Sequence, residues 1–150
     1  MSQEAIELVT RVASALLADN VVAVLEDEEE SEAVRATVAE FAAPDFECVL
    51  VAPQYTGSGG RLAFSGAEGF LAAWREWLAP YETYAVEIED LIDAGDRVVT
   101  LARQRATTRI GGVKMEEDTA AVWTVRDGKL ARVEFHLDRK RAMRAAGLAD

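Results

Sequence analysis

The stretch LIDAGDRVVTLARQRATTRI (91–110), VKMEEDTAAVWTVRDGKL (113–130) and ARVEFHLD (131–138) decides the fold. It is rich in β-branched residues, and each reversal carries glycine: Ala94-Gly95-Asp96-Arg97, Gly111-Gly112 and Arg126-Asp127-Gly128-Lys129. Long antiparallel strands are therefore predicted. The strand from Arg97 to near Arg109 would span about 40 Å at roughly 3.3 Å per residue, well past the usual length of about five or six residues. Such a strand must bend or bulge, and a curled sheet closed by helices encloses a pocket.

Upstream, apolar residues recur with helical spacing: Ile6, Val9, Ala13 and Leu16 share one face, and Val34, Val38 and Phe41 another. VVAVLE (21–26) reads as a short helix capped by Asp19 or Asn20. The acidic run from Glu26 to Glu30, with Glu32, reads as a solvated turn rather than a binding surface. Ser31 is placed to cap the next helix, Pro44 to end it, and DFECVLVA (45–52) is a strand. PQYTGSGGRLA (53–63) reads as a loop able to act as a lid. Ser65-Gly66-Ala67-Glu68 has the form of a capping box, opening a helix that carries Phe70, Trp74, Trp77 and Leu78 and stops at Pro80. RKRAMRAA (139–146) closes the chain, with Gly147 as its C-cap. Without repeats or low-complexity tracts, residues 1–150 are expected to form a single domain.

Composition narrows the function. A formal charge of −11 opposes nucleic-acid binding, which needs clustered Lys and Arg. The absence of an apolar stretch of about 18 residues and of a basic-then-apolar leader predicts a cytoplasmic protein with no membrane role. One cysteine, Cys48, and one histidine, His136, exclude an internal disulfide, a thiolate zinc cluster and a two-histidine metal site within one chain. No metal or cofactor is expected. GSGG (57–60) lacks the strand-to-helix context of a phosphate loop.

Strand parity supplies the candidate site. In VEFHLD, Val133, Phe135 and Leu137 share one face, so His136 points away with Glu134 and Asp138, at the surface or a subunit interface. On the long strand, Val99, Leu101, Arg103 and Arg105 share a face, so two arginines continue an apolar stripe. On the next, Glu117, Thr119, Ala121 and Trp123 are in phase, which puts Glu117 across from one of those arginines. The pair is either an ion pair at the open end of the sheet or a ligand-recognising couple. Trp74 and Trp77 suit core packing or a binding platform, and Cys48 suits an inert buried thiol.

The strings FSGAEGFLAAWREWLAPYETY (64–84), LIDAGDRVVTLARQRA (91–106), AVWTVRDGKLARVEFHLDR (121–139) and AAGL (145–148) resemble the SnoaL-like (polyketide cyclase-like) branch of the nuclear transport factor 2-like superfamily. The resemblance implies an α+β fold in which N-terminal helices pack a cone-shaped curved antiparallel sheet, a cystatin-like α+β barrel. It also implies a homodimer, here through the outer sheet face with Ala120, Val122, Thr124 and His136. Set against relatives that use aspartates, the matching positions hold Cys48, Ala121 and Phe135, so isomerase and epoxide-hydrolase chemistries do not carry over. The expected pocket is walled by Phe46, Cys48, Trp74, Leu101, Trp123, Val133 and Phe135, with Arg103, Arg105 and Glu117 as polar content. Two functions remain open. One is binding of a flat, lipophilic molecule whose carboxylate or enolate meets Arg103. The alternative is an isomerase, cyclase or hydrolase acting on a polyketide- or steroid-like substrate, with Glu117 as base and Arg103 stabilising the anion.

Overall fold

The structure, a computed structural model, describes residues 2–52 and 60–148. Helices α1 (Ser2–Ser14), α2 (Val21–Glu26) and α3 (Glu28–Phe41) lead into β1 (Ala42–Val51), β2 (Arg61–Ser65) and α4 (Gly66–Leu78). Strands β3 (Tyr81–Asp93), β4 (Arg97–Thr108), β5 (Lys114–Arg126) and β6 (Lys129–His136) follow, and α5 (Arg139–Ala145) closes the chain. The fold is α+β, and its strands make one curved, unclosed mixed sheet in the order β2-β1-β6-β5-β4-β3. The four later strands form the meander read from the sequence, and β1 joins β6 as the one parallel pair among the described residues. A parallel neighbour needs a long crossover, which β2, α4 and the meander provide.

Local chemistry sets the element ends and corrects several expectations. Asn20, not Asp19, caps α2, its Oδ1 accepting from Val22 N and also from Tyr84 N, both at 3.1 Å, which ties the helix to β3. Asp27 Oδ1 accepts from Glu30 N at 2.9 Å, so α3 opens at Glu28 and the acidic run is not a turn. Glu28, Glu29 and Glu30 occupy the first turn of α3, where the helix dipole favours negative charge, while Glu26 ends α2. Ser31 therefore lies inside α3 and donates to Glu28 O. Pro44 sits within β1, in the stretch between Ala42 and Glu47 where the ladder to β6 is irregular. Arg61–Ala63, read as loop, belong to β2; residues 53–59 of the expected lid lie outside the described residues. The capping box does not form: the chain enters α4 through Gly66 at φ +72°, and Ser65 makes no side-chain cap bond.

Gly69 fixes how closely α4 approaches β2. A Cβ there would stand 2.8 Å from the Phe64 carbonyl carbon, a contact with backbone that no rotamer relieves. Helix propensity alone would make Gly69→Ala stabilising by about 1 kcal/mol. We expect a net loss of about 1–3 kcal/mol instead, from overpacking, measured as a lower urea midpoint at unchanged m.

Two apolar layers flank the sheet. The larger joins α1–α4 to the concave face, with Val12, Val38, Phe46, Phe70 and Leu130 among its fully covered side chains. The smaller lies on the outer face, where Ala142 and Ala146 of the α5 segment cover Val99, Ala120 and Val122. Ala120 and Val122 of the outward stripe expected to meet a second subunit thus lie under the chain's own α5 segment, while Thr124 is half-buried. Leu148 N donates to Met143 O and Gly147 N to Arg144 O, both at 2.9 Å, with Gly147 at φ +80°, the paired bonds of a Schellman ending. Arg139 donates to the carbonyl oxygens of Thr119 and Ala102 and to Glu89. His136 does lie on the outer face but is only 2 % exposed, so it is buried rather than at the surface. The long β4 is itself regular: β3 bulges at Glu89 against it and β6 bulges at Ala131 against β5, while the β4–β5 ladder runs unbroken. Among the described residues no helix is long and apolar enough to cross a membrane.

Candidate functional site

The concave face is occupied mainly by the protein's own rings. Phe135 stands at their centre, its ring centroid 5.2 Å from that of Trp74, 5.9 Å from Trp123, 6.4 Å from Phe70 and 6.5 Å from Trp77. Beside this cluster a cavity of about 60 Å³ remains. Leu16 and Leu17 of the segment after α1 wall one side, Trp74 and Trp77 another, and Val86 and Ile88 a third. Small side chains on β4 and β5, namely Thr100, Ala102, Thr119 and Ala121, form the floor. Leu17 is 46 % exposed and borders the solvent side. An engineered apolar cavity that admits benzene measures about 150 Å³. The space here, at about 60 Å³, is less than half of that.

A hydrogen-bonded chain backs the cavity. Trp77 Nε1 donates to Tyr84 Oη at 3.1 Å and to Gln104 Oε1 at 3.3 Å. Tyr84 Oη donates to Gln104 Oε1, and Gln104 Nε2 donates to Glu117 Oε1 at 3.3 Å. Two donors to its oxygen and one acceptor for its nitrogen thereby fix the orientation of the amide. Burial pushes the Tyr84 phenol well above its ordinary pKa, and the nearby Tyr81 and Glu117 add to the effect, outweighing the Trp77 hydrogen bond. The phenol is a neutral donor at any physiological pH. Glu117, half-buried, ends the chain behind Gln104 and is not part of the cavity wall.

The arginines are not in the cone. β4 turns Val98, Thr100, Ala102, Gln104 and Ala106 inward, and Leu101, Arg103 and Arg105 outward. The register explains it: Gln104 stands opposite Glu117 and Arg103 opposite Asp118, and directly opposed residues share a face. Arg103 pairs with Glu116 at 3.1 Å and Asp118 at 3.2 Å, with Glu89 at 3.8 Å; Arg105 pairs with Glu116 at 3.0 Å. The expected Arg–Glu117 couple is absent. Leu101 packs on the outer layer beneath α5.

Of the other expected wall residues, Trp74, Trp123 and Phe135 do line the cavity. Phe46, Cys48 and Val133 face inward but are packed in the core behind the rings. Burial pushes the Cys48 thiol far up, with Glu47 adding to it, so the thiol stays protonated. The reading of the sequence missed Tyr84, Val86 and Ile88, although TYAVEI (83–88) carries their period-two signal.

Residues 21–133 match the family model of the SnoaL-like domain. The chain belongs to the SnoaL-like family. This SnoaL-like chain is similar to an NTF2-like protein of unknown function from Burkholderia pseudomallei K96243, with a TM-score of 0.66 at 18% identity over 94% of this chain and 95% of that one. A putative SnoaL-like polyketide cyclase from Jannaschia sp. CCS1 gives 0.63 at 19%, over 99% and 94%. TerC, co-crystallized with polyporic acid, gives 0.63 at 20%, over 96% and 98%. At these identities the likeness is one of fold. No curated protein matches the SnoaL-like chain.

Proposed function

We propose that this SnoaL-like domain binds a small lipophilic molecule whose narrow end enters the concave cavity. The observation that carries the reading is the cavity itself, an apolar space of about 60 Å³ among core aromatic rings, bordered by the exposed Leu17. At about 24 cal/mol per Å³, leaving it unfilled costs about 1.4 kcal/mol, which a ligand of the right shape recovers. The likeness to TerC, co-crystallized with polyporic acid, supports small-molecule binding on this fold. The catalytic alternative loses its anion stabiliser, because Arg103 is engaged by Glu116 and Asp118 on the outer face.

Ala102→Leu should fill the floor and abolish binding while leaving the fold intact. With 1-octanol as probe, the wild-type melting temperature should rise by about 2–4 °C near saturation, and that of Ala102→Leu should not move. An unchanged wild-type melting temperature, or an equal rise in both proteins, would overturn the proposal.

A further inference from the structure

The three tryptophan N–H groups of the concave face are treated differently. Trp123 Nε1 donates to Thr100 Oγ1 at 3.0 Å, and Trp77 Nε1 is shared between Tyr84 Oη and Gln104 Oε1. Trp74 Nε1 is buried and finds no acceptor among the described residues, although the residue is only 6 % exposed and lines the cavity. An indole nitrogen can only donate, and a buried donor without an acceptor costs about 1–3 kcal/mol. Rotating the ring to find a partner is opposed by its packing: Trp74 meets Tyr84 edge-on at 5.9 Å and Phe135 edge-on at 5.2 Å. The oxygens nearby in the fold, on Thr100, Gln104 and Tyr84, already serve the other two indoles.

The charge of the site constrains the acceptor further. No lysine or arginine is among the residues that line the cavity, and the one basic side chain among them, His136, already faces the Glu134 carboxylate at 3.1 Å. A buried carboxylate without a cation costs several kcal/mol, and the formal charge of −11 adds repulsion to any anion approaching. We propose that Trp74 Nε1 is the specificity-determining donor of the site, and that its ligands are slim neutral molecules presenting a carbonyl oxygen at the inserted end. This deepens the binding proposal on which it rests, and it replaces the carboxylate expected to meet Arg103.

Three probes of one shape separate the possibilities: 2-hexanone, 2-methyl-1-hexene, in which a methylene replaces the carbonyl oxygen, and pentanoate, the corresponding anion. In a 15N–1H spectrum of the wild-type protein, 2-hexanone should move the Trp74 indole proton downfield. The alkene should bind without that downfield movement, and pentanoate should leave all three indole signals in place. Trp74→Phe identifies the signal and should lower the ratio of ketone to alkene affinity by about 3–10-fold, the worth of one hydrogen bond. If ketone and alkene bind with a ratio that Trp74→Phe leaves unchanged, or if pentanoate binds tightest, the inference is wrong while the cavity remains a binding site. If no probe moves any indole signal at tens of millimolar, the binding proposal falls together with it. The wild-type spectra decide the matter even if the variant does not fold.

Discussion

Phe135→Ala is expected to lower the free energy of unfolding by about 3–5 kcal/mol, the upper range for a single side chain. Four aromatic neighbours meet the Phe135 ring with centroids between 5.2 and 6.5 Å, two of them, Trp74 and Trp123, edge-on. Removing it deletes the transfer energy of the ring and the edge-to-face contacts, and it leaves a void continuous with the existing 60 Å³ cavity. The surrounding rings are anchored on different elements, α4 and β5, so collapse into the space is restricted. The same variant should gain a ligand: benzene, too large for the wild-type space, should raise the melting temperature of Phe135→Ala and not that of the wild type. Phe135→Leu, which keeps most of the volume, should cost less than half as much. A loss below about 1 kcal/mol for the alanine variant, measured by urea unfolding, would mean that the aromatic cluster is not the structural centre of the cone.

The contrast between Phe135 and Arg103 shows what the sequence carries and what it leaves out. Glycine-marked reversals and strand-length apolar runs located the meander, and the resemblance to SnoaL-like domains supplied the order of helices and sheet now observed. Parity on β5 and β6 placed Trp123 and Phe135 on the concave face. On β4 the same count chose the wrong face, because Val99 and Leu101 are apolar for a reason outside the strand: the α5 segment packs over them. The inner residues of β4 are small or amidic instead, since large rings from α4 and β5 fill the space above them. A signal that would have corrected the error lies in the hairpin. A turn centred on Gly111-Gly112 sets odd-numbered residues of β5 opposite even-numbered residues of β4, so Glu117 and Arg103 could not share a face. Turn register is a stronger constraint than hydrophobic parity wherever both faces of a sheet are covered. The unsatisfied indole of Trp74 had no such signal, since hydrogen-bond satisfaction depends on packing between elements distant in sequence.

The second large effect belongs to the outer face and to acid. Glu134 accepts from Arg132 Nε at 3.0 Å and Nη2 at 2.8 Å, from Arg61 Nη2 at 3.1 Å, and from His136 Nε2 at 3.1 Å. Arg61 reaches it from β2 across β1, so the cluster links three adjacent strands, and the Glu134 side chain is 14 % exposed. The His136 hydrogen bond, followed by those and the charge of Arg132, outweighs burial and lowers the carboxyl from its ordinary 4.5 to about 2. A depressed pKa in the folded state means the stabilisation is complete above the unfolded value near 4.5 and disappears as the pH falls to about 2. At about 1.4 kcal/mol for each pH unit of displacement, the contribution at neutral pH is about 3 kcal/mol. Glu134→Gln should therefore be less stable than the wild type by about that amount at pH 7, with the difference shrinking below pH 4.5 and nearly vanishing at pH 2. Urea unfolding of both proteins across this range measures it. A difference that stays constant with pH would assign the loss to packing, and the carboxylate would not be what joins β2 and β1 to β6 on this face.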